Sequence, residues 1–188
     1  NCASDAGDSE RELRKKLIEA GVVECILAIG PNMFLTVTLP VTLWFLDRGK
    51  AKGPRGDKVL FVDARHLYRQ VDRTHRTFDA DHIEFLGNIV RLWRGEKTET
   101  EAGSKPRMTE AFPGGRYRDV PGLCKVASLD EIEKQDWSLN SGRYVGVAPG
   151  QAHDDEEFKE KLTELQEELE NLNAEAVQLQ NRIAQNFA

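Results

Sequence analysis

Residues Gly21–Arg48 read GVVECILAIGPNMFLTVTLPVTLWFLDR, and the rest of the chain is organised around them. Two apolar runs, Val22–Ile29 and Leu39–Leu46, flank a Gly30-Pro31-Asn32 turn that leads into Met33 and Phe34. Each run has the length of a strand and is rich in Val, Ile, Leu and aromatics, which predicts two buried strands. A third run, Lys58–Ala64 (KVLFVDA), follows the loop Gly53-Pro54-Arg55-Gly56. Ahead of all three, Ser9-x-x-Glu12 has the form of a capping box, predicting a helix from about Glu10 with Leu13 and Leu17 on one face and Gly21 as its stop. A helix dropping directly into a strand is the α/β crossover pattern, so the stretch forms one side of an α/β sheet.

Composition bounds the function. The chain has 188 residues, 39% of them hydrophobic, enough for one modest domain plus an appendage. No run approaches the roughly 18 apolar residues of a membrane span, so a soluble protein is expected. Cys2, Cys25 and Cys124 form no CxxC pair and leave an odd count, which points to neither a zinc site nor a disulfide framework and fits a reducing cytoplasm. The opening residue is Asn1 rather than Met, so a longer parent chain is expected. The net charge of −6 is concentrated in residues 151–188, which hold ten acids and three bases. Between Asp47 and Lys125 there are 17 bases and 12 acids, a mild excess that either faces a phosphate backbone or forms a solvated surface.

Beyond the third run, Arg65–Arg76 (RHLYRQVDRTHR) is arginine-rich. Asp72, His75, Asp79 and His82 are metal-type side chains, but no ligand spacing links them, and Arg73 and Arg76 would repel a cation. A basic turn that contacts phosphate through Arg73 and Arg76, or one that salt-bridges locally, fits better. Phe78–Trp93 predicts a helix capped by Asp79, with Ile83, Leu86, Val90 and Trp93 as its core stripe and Gly95 as its stop. Glu96–Gly115 has no periodicity and reads as a mobile surface excursion. Val120-Pro121-Gly122 turns into a short extended piece, and Ser128-x-x-Glu131 is a second capping box opening a short helix. Arg143 and Tyr144 follow in WSLNSGRYVGV, with no decision from sequence between local packing and a partner. In the tail, Phe158, Leu162, Leu165, Leu169, Leu172, Ala176, Leu179 and Ile183 step by four and three, a coiled-coil seam on a helix of roughly 45 Å. The expected divisions are 1–95 for the sheet and its helices, 96–119 for the loop, 120–150 for a linker segment and 151–188 for the seam helix.

The segments SERELRKKLIEAG, VVECILAIGPNMF, LPVTLWFLDR, VLFVDAR, VDRTHR, VPGLCK and LNSGRYVG, in that order before a charged terminal helix, resemble the C-terminal part of the modification (M) subunit of type I restriction-modification systems. The resemblance implies the distal part of a Rossmann-like methyltransferase sheet with a C-terminal coiled-coil helix. It implies a parent enzyme that methylates the exocyclic amino group of adenine in DNA with S-adenosylmethionine when docked to the specificity (S) subunit. In the family, a Gly-rich loop binds the cofactor and an Asn-Pro-Pro-aromatic motif grips the target. Here Asn32 follows Pro31, and Gly7, Gly21 and Gly30 form no cluster, so no catalytic residue and no cofactor are expected in this stretch, which by itself should be inactive. Phe34 matches the position of an aromatic that stacks on the flipped-out adenine, although it equally suits a strand-end core residue. The resemblance assigns the seam, with Leu162, Leu165, Leu169, Leu172, Leu179 and Ile183, to the long helices of the S subunit. A second M subunit, a restriction subunit and DNA complete the expected partners, and an isolated seam can also self-pair as a homodimer. Two alternatives are a non-catalytic assembly module and the C-terminal part of a standalone or single-chain adenine methylase.

Overall fold

A computed structural model of the chain describes residues 8–34, 38–72 and 75–147, together with positions 166, 169, 172, 173, 176, 179 and 180. It divides into a unit of residues 1–148 and a second unit of residues 149–188.

Helix α1 (Asp8–Glu19) runs into β1 (Val23–Ile29) through Gly21, whose φ of +66° is left-handed. A Cβ on Gly21 would lie 2.9 Å from the Gly56 carbonyl oxygen, so only glycine fits this close approach. The helix begins before Ser9, which therefore lies inside α1 rather than capping it. Its inward face also differs from the expectation. Ile18 and Arg14 are buried while Leu13 is 61% exposed, because the Arg14 stem lies inward and its Nε donates to the Trp137 carbonyl at 3.3 Å.

β1 pairs antiparallel with β2 (Val41–Leu46) and parallel with β3 (Lys58–Ala64). β3 pairs antiparallel with β6 (Cys124–Ser128), giving a four-stranded order β2-β1-β3-β6. Between β2 and β3 a single 3-10 turn at Lys50–Lys52 returns the chain, and the buried Lys50 ammonium donates to the Val23 carbonyl at 2.6 Å. The expectation of two buried strands holds for β1 alone. β2 is the edge of the sheet, and Leu43, Phe45 and Leu46 are exposed on it.

A small hairpin, β4 (Arg69–Gln70) with β5 (Arg76–Thr77), leads into α2 (Ala80–Arg94). Asp79 and His82 cap α2 reciprocally, and Gly95 ends it at φ +75°. The core face of α2 is Phe85, Ile89 and Leu92, packed with Cys25, Leu27, Leu60 and Val62. This corrects the expected stripe: Ile83 is 60% exposed, and Leu86, Val90 and Trp93 are only partly buried beside that cluster. Both stripes have helical spacing, so periodicity alone does not choose between them.

The segment expected to lack regular structure contains α3 (Lys105–Ala111). It is tied to α2: the Asn88 amide donates to the Glu99 carbonyl, and Glu84 Oε1 accepts from the Ser104 backbone N–H at 3.0 Å. Met108 and Phe112 complete the core there. On the opposite sheet face, α4 (Leu129–Lys134) and α5 (Gly142–Val145) join α1 around Ile26, Phe61 and Ile132. The Ser128–Glu131 capping box forms as expected. Tyr144 packs locally, its ring stacked on Phe61 at 4.0 Å and its hydroxyl donating to the Ser138 carbonyl at 2.5 Å, whereas Arg143 is exposed.

In the second unit the described positions are helical, with Leu169, Leu172 and Leu179 exposed. Leu162, Leu165 and Ile183 lie outside the described residues. No helix among the described residues is long and apolar enough to cross a membrane.

Candidate functional site

Side chains alternate across a strand, so the register that sets Cys25 opposite Phe45 and Leu27 opposite Leu43 puts all four on one sheet face. Over β1 and β3 that face is covered by α2. Over β2 it is open. The result is an apolar groove of about 780 Å³ between β2 and α2, with Met33, Phe34 and Phe78 at its mouth.

Phe34 is 44% exposed and lines both this groove and a second hollow of about 440 Å³ that includes Asn32, Val71, Asp72, His75 and Arg76. The turn that presents it is held by a backbone hydrogen bond to Arg76. Asn32 sits at φ +63°, tolerable for Asn, and its carbonyl accepts the Arg76 backbone N–H at 2.8 Å. The Arg76 guanidinium lies 4.1 Å from the Tyr68 ring centroid, and its Nε donates to Gln70 Oε1 at 3.2 Å. The structure therefore brings Phe34 and Arg76 to one hollow. Arg73 lies outside the described residues.

The metal-type side chains are differently engaged. Asp72 Oδ2 pairs with His75 Nδ1 at 2.8 Å, and Asp79 pairs with Arg69 at 2.9 Å. Asp79, Asp81 and His82 bring ligand-type atoms within 4.8 Å of one another. However, Arg107 takes Asp81, and His82 Nδ1 accepts the Asp79 backbone N–H at 3.1 Å. The group is a helix cap held by arginines.

Sequence reasoning missed a charged cluster at the other end of the groove. Glu24 is buried on β1 at 3% exposure and pairs with Arg94 and Arg55. Hydrogen bonding to Glu24 raises the Arg94 pKa above its ordinary value. A lone Glu in an otherwise apolar run was the available signal, because a buried carboxylate needs a cation. Burial pushes the Cys25 thiol up to about 12 and the Cys124 thiol up to about 11, leaving neither as a nucleophile. What this face offers is an apolar hollow with a half-exposed aromatic at its mouth and an arginine beside it, suited to holding a flat group by stacking.

The sequence profile of N-6 DNA methylases matches residues 2–153. This chain belongs to that family. It is 35% identical over 184 residues to the MjaIX type I restriction enzyme methylase subunit of Methanocaldococcus jannaschii, covering 97% of this chain and 29% of that protein. It is 34% identical to the HindI type I restriction enzyme methylase subunit of Haemophilus influenzae, covering 98% of this chain and 37% of that one. The chain thus spans about a third of the length of these relatives. A crystal structure of the type I restriction-modification methyltransferase subunit from Streptococcus thermophilus superposes with a TM-score of 0.54 at 22% identity, over 78% of this chain and 25% of that one. A structure concerned with assembly and conformational transition of a type I restriction-modification system superposes with a TM-score of 0.51 at 14% identity, over 96% and 34%. The mixed α/β sheet is the fold these methyltransferases share.

Proposed function

We propose that this chain is the C-terminal part of the modification subunit of a type I restriction-modification system, an enzyme that methylates the exocyclic amino group of adenine with S-adenosylmethionine when docked to its specificity subunit. The observation that carries this reading is β2. It lies at the sheet edge with apolar side chains on both faces, Leu43 and Phe45 on one and Trp44 and Leu46 on the other. Such a strand suits the interior of a sheet, since exposed edges are normally blunted by charge. In the longer subunit, β2 pairs with a further strand of the cofactor-bearing part.

Gly21 and Gly30 are used in the chain's own packing, where a Cβ would meet the backbone oxygens of Gly56 and Arg65 at 2.9 and 2.8 Å. Cofactor binding and the Asn-Pro-Pro-aromatic grip therefore belong to the rest of the subunit, and this stretch contributes the floor on which the target base is stacked, with Phe34 as the stacking ring and Arg73 and Arg76 toward the phosphate backbone. The residue 151–188 helix docks on the specificity subunit through Leu162, Leu165, Leu169, Leu172, Leu179 and Ile183. A second modification subunit and a restriction subunit complete the assembly, in the cytoplasm.

The test is methyl transfer by the full-length subunit with its specificity subunit. Phe34→Ala should lower turnover by between about 5-fold and about 150-fold, the equivalent of about 1–3 kcal/mol per stacked base. Unchanged turnover and unchanged DNA affinity would remove the stacking role. Leu165→Glu with Leu172→Glu should abolish capture of the specificity subunit while leaving the rest folded; surviving capture refutes the docking assignment.

A further inference from the structure

α2 carries two apolar faces. One is the core face of Phe85, Ile89 and Leu92; the other presents Ile83, Leu86 and Val90 to the groove over β2, with Gly87 among them. Glycine in a helix interior is less favourable than alanine by about 1 kcal/mol. Nothing among the described residues compensates for it: Gly87 is exposed, and a Cβ placed on it meets no described heavy atom within 4 Å. An uncompensated helix glycine at the centre of an apolar stripe permits close backbone approach by something outside the chain.

We propose that the groove between α2 and β2 seats an amphipathic helix from the part of the same polypeptide lying outside these 188 residues, crossing α2 closely at Gly87. The inference rests on the reading that the chain is part of a longer modification subunit. Three observations fix the occupant. The relatives are about three times as long as this chain, so a large covalently linked partner is at hand. Among the described residues β2 pairs with β1 alone, which leaves its other edge open to a further strand of that same part. And spacing selects a helix: packed helices lie about 8–10 Å apart and strands about 4.8 Å, so one helix covers two strands. α2 covers β3 and β1; the next helix in that layer covers β2 and the strand paired beyond it, with Leu43 and Phe45 beneath it and Ile83, Leu86 and Val90 at its side. The apolar lining matches the buried face of an amphipathic helix. A nucleic acid would find no free cation among the described lining residues, because Arg91 and Arg94 are paired to Glu99 and Glu24.

The experiment uses the full-length subunit. A photo-crosslinking benzoyl-phenylalanine replaces Ile83, and cross-linked peptides are mapped by mass spectrometry. The proposal expects attachment within the same polypeptide, outside this chain, to a segment with a 3.6-residue apolar stripe. Attachment to a separate subunit or to DNA, or no cross-link, overturns it. As a second measurement, Gly87→Ala and Gly87→Leu are compared with wild type in thermal melts. Close crossing predicts that both lower the midpoint and leucine more, whereas helix propensity at a solvent-facing site predicts that alanine raises it, which would also overturn the proposal. Methyl transfer by the wild-type subunit together with its specificity subunit is measured separately. Its absence refutes the functional reading and leaves the cross-link result to stand on its own.

Discussion

Glu24 Oε1 accepts a hydrogen bond from Arg94 Nε at 2.9 Å and lies 3.5 Å from Arg55 Nη2, so one buried carboxylate on β1 is shared by arginines from the end of α2 and from the loop before β3. Arg55 is also held over the Trp93 ring, 5.4 Å from its centroid. The cluster joins sheet, helix and loop at the end of the groove away from Phe34.

Glu24→Gln keeps the side-chain shape and removes the charge the arginines share. Both arginines are about a third exposed and can turn to water, so the loss should fall below that for a fully buried pair, at about 1–3 kcal/mol in urea unfolding. Arg94→Lys keeps the charge but loses the fork that meets both carboxylate oxygens, and should cost about half as much. An unchanged urea midpoint in Glu24→Gln would refute the cluster's structural role.

Lys50 titrates in an unusual window. Burial lowers its pKa to about 8, against the opposing pull of Glu24. Between that value and the ordinary 10.5, the unfolded chain binds more protons than the folded one, so this group adds stability as pH rises from about 8 to 10.5. Wild type should gain on the order of 2 kcal/mol over Lys50→Met across that window, read as the difference of their urea midpoints at about pH 7.5 and about pH 10. A difference independent of pH would contradict the assignment.

Cys25 and Cys124 should resist maleimide at about pH 8, because burial holds both thiols protonated and out of solvent. In a Cys2→Ser background, intact-mass analysis should find no label on the native protein and two after denaturation. Rapid native labelling would mean that the sheet opens.

Ser128 accepts from the Glu131 backbone N–H at 3.3 Å, and Glu131 accepts from the Ser128 backbone N–H at 2.9 Å. That second bond comes first and the Lys125 hydrogen bond next in holding the Glu131 pKa below its usual value. The capping contribution is therefore complete above the usual carboxylate value of 4.5 and fades as pH falls through the lower folded value. Glu131→Ala should lower stability by about 1 kcal/mol at neutral pH, and the gap to wild type should narrow in acid, where the wild-type carboxylate is protonated. Equal stabilities at neutral pH would mean that the cap carries no energy.

Strand positions were legible because they depend on short-range chemistry. Val22–Ile29 and Lys58–Ala64 are apolar runs, the first closed by Gly30-Pro31-Asn32 and the second preceded by Gly53-Pro54-Arg55-Gly56, and they form β1 and β3 within a residue of their predicted bounds. The Ser128 box and the Asp79 cap were legible for the same reason, since each bonds within three residues of itself. The order of motifs also identified the family, which the methylase profile supports over residues 2–153.

What the amino-acid sequence determined by itself was β1, β3, the capped helices α2 and α4 and the family they belong to; what only the tertiary structure decided was α3, the β4–β5 hairpin and which face each element buries. Ile83, Leu86 and Val90 and the stripe of Phe85, Ile89 and Leu92 satisfy the same helical period, and only the position of β1 and β3 beneath α2 makes the second one core. Likewise β1 and β2 look alike as sequence, yet among the described residues β1 is enclosed by neighbours on both sides and β2 has one. The pairing of Glu24 with Arg94, 70 residues away, was hidden for the same reason. Burial is a property of what lies across the gap, and periodicity records only how one segment is shaped.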